Sequence, residues 1–224
     1  MKRRSTEWKN RESVGKREPG ARGQGSGKKK AILKPLPDLR PLTPVFIGIG
    51  SNLGDRLASC REAVRRLGST PGIRIKKISS LYETDPVDYL EQDRFYNAVV
   101  AVETSLSPDA LLKECQEIER QLGKTILIPK GPRTIDLDLL FYHDQILNAP
   151  GLQIPHPAIS NRAFVLVPLT EIAPDFIHPA LHTSVAETLR RLNVETSRRD
   201  VSTKIERIAA PGWEKIPLVS NGPS

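Results

Sequence analysis

Asp136 and Asp138 stand two positions apart in GPRTIDLDLLFY, residues 131–142, a stretch that otherwise reads as a buried strand. Positions i and i+2 of a strand point to the same face, so the two carboxylates are neighbours. Ile135, Leu137 and Leu139 then point to the opposite face. Carboxylates side by side repel, and neither is easily buried alone. Either water reaches both or a positive charge sits between them. Paired hard oxygen donors suit Mg²⁺, which keeps waters and substrate phosphates in its shell. Arg133 lies three residues before Asp136, and Lys130 is nearby. Cations that meet phosphate, beside carboxylates that meet metal, form the polarity of a phosphate-transfer site. An aspartate pair alone carries little weight, because strand ends often hold solvated carboxylates.

The standard nucleotide loops are absent. VFIGIGSNLGDR contains Gly48, Gly50 and Gly54, but the last spacing is one residue longer than the dinucleotide-binding pattern, and no GxxxxGK[ST] occurs. A nucleotide bound by this chain needs another hold, and Asp136 and Asp138 are the candidates.

The elements that position these residues follow from periodicity. Val45–Ile49 is a short apolar strand, and Gly48, Gly50 and Gly54 flank a turn into a helix over 55–67. Leu57, Cys60, Val64 and Leu67 recur there at helical spacing, with Gly68 as the expected C-cap. A strand with an irregularity is expected over 73–84 and a second, Val-rich one over 95–104. Ser107-Pro108 starts a helix that ends at Gly123. The Asp-bearing strand follows, then helices near 161–170 and 184–192. The order β-α-β-β-α-β predicts an α+β fold with a ferredoxin-like core, an antiparallel sheet with two helices on one face.

Composition bounds the rest. At 224 residues, 38% hydrophobic and mean hydropathy −0.36, one ordinary domain with extensions is expected. No apolar run approaches the ~20 residues of a membrane helix, and no apolar stretch follows MKRRSTEWKN to make a secretory signal. Cys60 and Cys115 lie far apart on apolar helix faces without a CxxC, as reduced core thiols of a cytoplasmic protein would. Residues 1–44 hold 13 basic and four acidic residues, a net +9 against +8 for the whole chain, so the basic character belongs to this segment. It is read as a disordered basic extension, 45–195 as the folded domain, and 196–224 as a loosely ordered C-terminal tail.

GPRTIDLDLL, FIGIGSNLGDR, SSLYETDPV and IPHPAISNRAFVLVPLTEIAP together closely resemble the hydroxymethyl-dihydropterin pyrophosphokinase family of folate biosynthesis, over roughly residues 45–180. The resemblance implies transfer of pyrophosphate from ATP to the hydroxymethyl group of a reduced pterin, giving AMP and the pterin diphosphate. It implies two Mg²⁺ ions, with Asp136 and Asp138 matching the metal ligands. Thr84, Asp85 and Val87 match the segment that frames the pterin, where the family often has proline at the place of Asp85. Phe95 and Phe164 match the rings that sandwich the pterin, and Asn97 the amide that reads its edge. Gln116, Glu119, Lys130, Arg133, His156 and Arg162 match the ATP side, with Arg133, Lys124 and His156 the expected catalytic groups. From the residues alone each Phe also fits plain core packing, Gln116 and Glu119 a solvated helix face, and His156 a loop histidine. Asn97 amid VVAV is harder to leave idle, since a buried amide needs a partner.

One departure concerns the loop KTILIPKGPR, where Lys124 and Ile126 stand in place of two family arginines. Lysine keeps the charge without the bidentate fork, so slower turnover with an intact metal site is expected. The expected partners are ATP and a reduced pterin, with no membrane, no specific nucleic acid beyond weak contact with the basic segment, and a monomeric state. Two other readings stay open: a basic-tailed nucleic-acid-binding protein whose folded domain is inactive, and a kinase of another heterocycle.

Overall fold

Alternation along β1 (Val45–Ser51) defines the two faces of the sheet. Val45, Ile47 and Ile49 are buried on one side and Phe46 on the other, with Gly48 and Gly50 next in line on that second side. The computed structural model describes residues 44–87, 89–125, 131–198, 204–213 and 216. After β1 come α1 (Arg56–Ser69), β2 (Ile73–Ile78), β3 (Tyr82–Thr84), β4 (Phe95–Thr104), α2 (Pro108–Gln121) and β5 (Asp136–Tyr142). A hairpin of β6 (Leu147–Ala149) and β7 (Leu152–Ile154) follows, then α3 (Ala163–Ile172), α4 (Val185–Arg198) and β8 (Ile205–Arg207).

The main sheet runs β5-β1-β4-β3-β8 with β2 also beside β4, and every pair is antiparallel. This is the expected ferredoxin-like order with its second strand broken in two. At ten residues, β4 is long enough for its outer edge to take β2 against Val100–Thr104 and β3 against Phe95–Asn97. Ser79 bridges the break: its N–H donates to Val99 O at 2.9 Å and its Oγ accepts from Val99 N at 2.9 Å. The hydroxyl thus stands in for a ladder carbonyl, which keeps a buried N–H satisfied.

α1 and α2 pack on the face of Val45, Ile47 and Ile49, contributing Cys60, Val64, Leu67, Leu111, Cys115 and Ile118. Asp55 and Ser107 cap the two helices, accepting from Ala58 N and Ala110 N. The opposite face, which the sequence pattern left without helices, is covered by α3 and α4 through Val165, Leu166, Leu169 and Val185 against Phe46, Val99 and Ala101. The two cores together give three layers, helix, sheet and helix.

Three expectations change. Gly68 does not cap α1. It lies inside the helix, where a Cβ would come within 3.2 Å of Ile75 Cδ1, and the chain turns at Gly72 with φ +83°. Gly48 and Gly50 do not flank a turn either. They are strand residues of β1, and Gly54, with φ +69°, serves the turn. The described part of 196–224 is not loosely held: Ile205–Arg207 pairs with β3, and Trp213 is 2% exposed with its Nε1 donating to Ser79 O at 2.8 Å. Its apolar residues show no helical or strand period, but Ile208, Ala210, Trp213 and Ile216 pack on the α1–α2 core. Of the basic extension, residues 1–43 lie outside the described residues.

Both cysteines are free and fully buried, and burial pushes each thiol up to about 12. The thiolate is the reactive form. A disulfide-exchange reagent at pH 8 is therefore expected to titrate neither thiol in the native protein and both in denaturant. Rapid native reaction at either position would contradict the packing of α1 or α2.

Candidate active site

The strand periods that build the sheet also build the site. Along β5 and the residue before it, Ile135, Leu137 and Leu139 are at most 4% exposed against the α1–α2 layer, so Asp136 and Asp138 emerge on the α3 side. The register places Gly50 between Asp136 on β5 and Asn97 on β4, and Gly48 between Asp138 and Val99. An acidic row and an amide thus face the same space across a glycine floor. A Cβ on Gly50 would lie 3.3 Å from Asn97 Oδ1 and 3.8 Å from Asp136 Cβ. Gly50 is therefore needed for clearance, not for conformational freedom.

Over this floor lies a cavity of about 690 Å³, including its open mouth. Its walls are the segment Thr84–Val87, Gln92, Phe95, Arg133, and Arg162, Phe164 and Val165 at the start of α3. At one end, Asn97 Nδ2 donates to Thr84 Oγ1 at 2.8 Å, both side chains being buried. This orients the amide and leaves its Oδ1 toward Gly50. The Arg133 guanidinium sits 5.1 Å from the Phe95 ring centroid and that of Arg162 5.5 Å from Phe164.

At the other end the carboxylates meet cations. Lys124 Nζ donates to Asp136 Oδ1 at 2.7 Å and also pairs with Glu119 Oε1 at 2.9 Å. Arg133 Nε lies 3.0 Å from Asp136 Oδ2, an ion-pair distance without hydrogen-bond alignment. Burial alone would lower the Lys124 ammonium, but the charges and hydrogen bonds of Asp136 and Glu119 outweigh it and hold it above the ordinary lysine value. The Asp138 carboxyl is pushed up, first by burial and then by the charge of Asp136, against the pull of His156, Arg162 and Arg133. Burial and the Arg162 charge lower the His156 imidazole, with Asp138 and Asp136 opposing. His156 is fixed by its N–H to Leu140 O at 2.9 Å, and its Nδ1 accepts from Ala158 N at 3.3 Å. That bond leaves Nε2 as the protonated nitrogen of the neutral ring.

The structure therefore gathers Thr84, Asp85, Val87, Phe95, Asn97, Arg133, Asp136, Asp138, Arg162 and Phe164 around one cavity. Lys124 and His156 reach it through the aspartates. Gln116 and Glu119 do not line it. Gln116 is exposed, whereas Glu119 is 7% exposed, so it is no solvated face residue. Its Oε1 accepts from Leu137 N at 2.7 Å, and burial raises its carboxyl against the opposing pull of Lys124. Lys130 lies outside the described residues.

Asn52 carries no sequence signal and proves central. It is 2% exposed, accepts from Arg133 N at 2.8 Å, donates to Gln92 Oε1 at 2.9 Å and to Asp93 O at 3.2 Å. Its partners lie far along the chain, so no local pattern reveals it. Asn52→Ala leaves a backbone N–H and a carbonyl unpaired. It is expected to cost about 2–3 kcal/mol, seen in calorimetry as a melting temperature lower by roughly 4–12 °C. An unchanged melting point would show that water replaces these bonds.

As a metal site the donor set is small. Among the described residues no cluster of three or more His, Cys, Asp or Glu could hold an ion. Two same-face carboxylates suit an ion that takes its remaining oxygens from water and phosphate, as Mg²⁺ does.

Comparison with known proteins identifies a family. The sequence model of the family described as 7,8-dihydro-6-hydroxymethylpterin-pyrophosphokinase (HPPK) matches residues 46–174. The chain is 45% identical over 148 residues to the folic acid synthesis protein fol1 of Pneumocystis carinii, covering 66% of this chain and 20% of that one. It is 45% identical over 136 residues to the 2-amino-4-hydroxy-6-hydroxymethyldihydropteridine pyrophosphokinase of Methylorubrum extorquens, covering 61% of this chain and 86% of the relative. The chain thus spans about a fifth of the length of its fol1 relatives. A solved structure of an HPPK-DHPS in complex with substrates superposes with a TM-score of 0.62 over 75% of this chain and 46% of the other. At 15% identity that likeness concerns the fold.

Proposed function

The chain belongs to the 7,8-dihydro-6-hydroxymethylpterin-pyrophosphokinase family, and from that premise we propose that it transfers pyrophosphate from ATP to the hydroxymethyl group of 6-hydroxymethyl-7,8-dihydropterin. The hydroxymethyl oxygen attacks the β-phosphorus. The new O–P bond forms as the bond to the α-phosphate oxygen breaks, and AMP leaves with that oxygen.

The chain's residues divide this work by position. Asn97, oriented by Thr84, offers a fixed amide to the edge of the heterocycle, and the backbone of Thr84–Val87 frames it. Phe95 and Phe164 supply flat apolar surfaces on which a pterin gains from stacking. Arg133, Arg162 and neutral His156 face the polyphosphate, with Lys124 beside them on Asp136. Gln116, Glu119 and Lys130 remain assigned to the nucleotide side, Glu119 acting through Lys124 and the Leu137 amide. Asp136 and Asp138 would hold Mg²⁺, two ions being proposed, and the metal would neutralise phosphate charge and set donor against acceptor. The hydroxyl proton would pass to solvent or a phosphate oxygen as the new bond forms, and no side chain of the site is assigned as its base.

The observation that carries the reading is the row Asp136–Gly50–Asn97, which joins a cation-binding end to a heterocycle-reading end over one floor. The test is purified protein with ATP, Mg²⁺ and the hydroxymethyl-dihydropterin. AMP release that needs the pterin is expected. AMP release independent of the pterin, or none, would overturn the proposal. A monomer in the cytoplasm belongs to the same reading, since two reduced thiols persist there. No described helix is long and apolar enough to cross a membrane.

A further inference from the structure

The pterin-framing wall is built on a very short strand. β3 has three residues and pairs with β4 on one side. Alone it would be a weakly held edge. Its other side is closed by β8, with Thr84 opposite Ile205, Glu83 opposite Glu206 and Tyr82 opposite Arg207. The segment carrying β8 lies beyond residues 46–174 that match the family.

Past the strand the contact becomes specific. Asp85 N donates to Lys204 O at 3.2 Å, and Lys204 N returns a bond to Asp85 Oδ2 at 3.1 Å. Arg94 Nε donates to the other oxygen, Asp85 Oδ1, at 2.8 Å. Glu83 and Glu206 face each other across the pair, an arrangement that repels. Arg94 NH1 resolves it by bonding Glu83 at 2.8 Å and Glu206 at 3.3 Å. Below, Ile208 N donates to Leu81 O at 3.0 Å, and Trp213 anchors the segment in the α1–α2 core through Ser79 O. Both carboxylate oxygens of Asp85 are thus engaged with Arg94 and the C-terminal segment.

We infer that the C-terminal segment 204–213 is a strap that positions the heterocycle end of the active site, acting through Asp85 and Thr84. This inference rests on the function proposed above. Thr84 is held on both backbone edges, and its hydroxyl in turn orients Asn97. Releasing the strap frees Thr84–Val87 and the amide that reads the pterin, while β5, at the opposite edge of the sheet, stays in place and Asp136 keeps Lys124 and Arg133. Lys204 and Trp213 are positioning residues and line no part of the cavity.

The test uses full-length Trp213→Ala and Lys204→Pro, the second removing the N–H to Asp85 while leaving the Trp213 anchor. For each, the pterin KM is expected to rise ~10-fold or more with the ATP KM within about twofold and kcat retained at saturation. Exchange of the Asp85 amide with deuterium should accelerate ~10-fold or more. Simple loss of folded protein would instead lower kcat and leave KM alone. Faster Asp85 exchange with an unchanged pterin KM overturns the inference and reduces the strap to a stabilising element. If Trp213→Ala does not fold, Lys204→Pro decides by the same measures. A wild-type chain without pterin-dependent AMP release overturns the proposed function instead, and pterin affinity by calorimetric titration, expected to weaken ~10-fold or more in both variants and overturning the strap if unchanged, then takes the place of KM.

Discussion

Asp136→Asn and Asp138→Asn are each expected to lower pterin-dependent AMP release by about 10³-fold, the scale of several kcal/mol of lost charge stabilisation. The asparagine keeps the shape and removes the charge, so the loss reports the carboxylate itself. The two variants should part in stability. Asp138 has a raised carboxyl, through burial first and Asp136 second. As pH climbs, the unfolded chain gives up this proton before the folded one does. The folded state then holds more protons, and stability falls with rising pH through that window up to the raised folded value. Above the ordinary carboxylate range Asp138 is therefore a cost to folding, and Asp138→Asn should melt higher than wild type at neutral pH without metal, by about 2–4 °C for each kcal/mol recovered. Asp136→Asn should melt lower, because Lys124 and Arg133 lose the carboxylate they pair with. Either variant keeping more than about a tenth of the activity would remove that carboxylate from the chemistry.

Gly50→Val is expected to weaken pterin binding by about 10²-fold or more, measured as KM and by calorimetric titration. Its Cβ would stand 3.3 Å from Asn97 Oδ1, and its methyl groups would fill the floor between the amide and Asp136. Valine suits strand backbone, so the melting temperature should fall far less than binding does. Gly50→Ala should give an intermediate loss. Equal pterin affinity in the alanine and valine variants and wild type would show that the heterocycle does not cross this floor.

Both effects depend on residues with different legibility. The acidic pair is readable because a strand period and two charges on one face conflict unless a cation intervenes. Asn97 is readable for a related reason, an amide in an apolar strand. Gly50 is visible as a glycine and misleading as a motif. In sequence it suggests a turn or a failed nucleotide loop, and its actual use, clearance beneath a ligand, needs both neighbouring strands in place. Glu119 shows the converse. Helical spacing offers a solvated face or a nucleotide contact, whereas docking of α2 on β5 buries it against a strand N–H.

Periodicity and side-chain chemistry by themselves determined the strands and helices of the core, their order, the shared face of Asp136 and Asp138, and the match to a family. These are local properties, written within a few residues of one another. Only the tertiary structure decided what joins them: the second strand broken at Ser79, the opposite face covered by α3 and α4, the hub at Asn52, and the C-terminal segment closing β3. Each depends on single hydrogen bonds or isolated apolar residues meeting partners far along the chain. Such contacts leave no repeat in the sequence, because what fixes them is the proximity that folding creates.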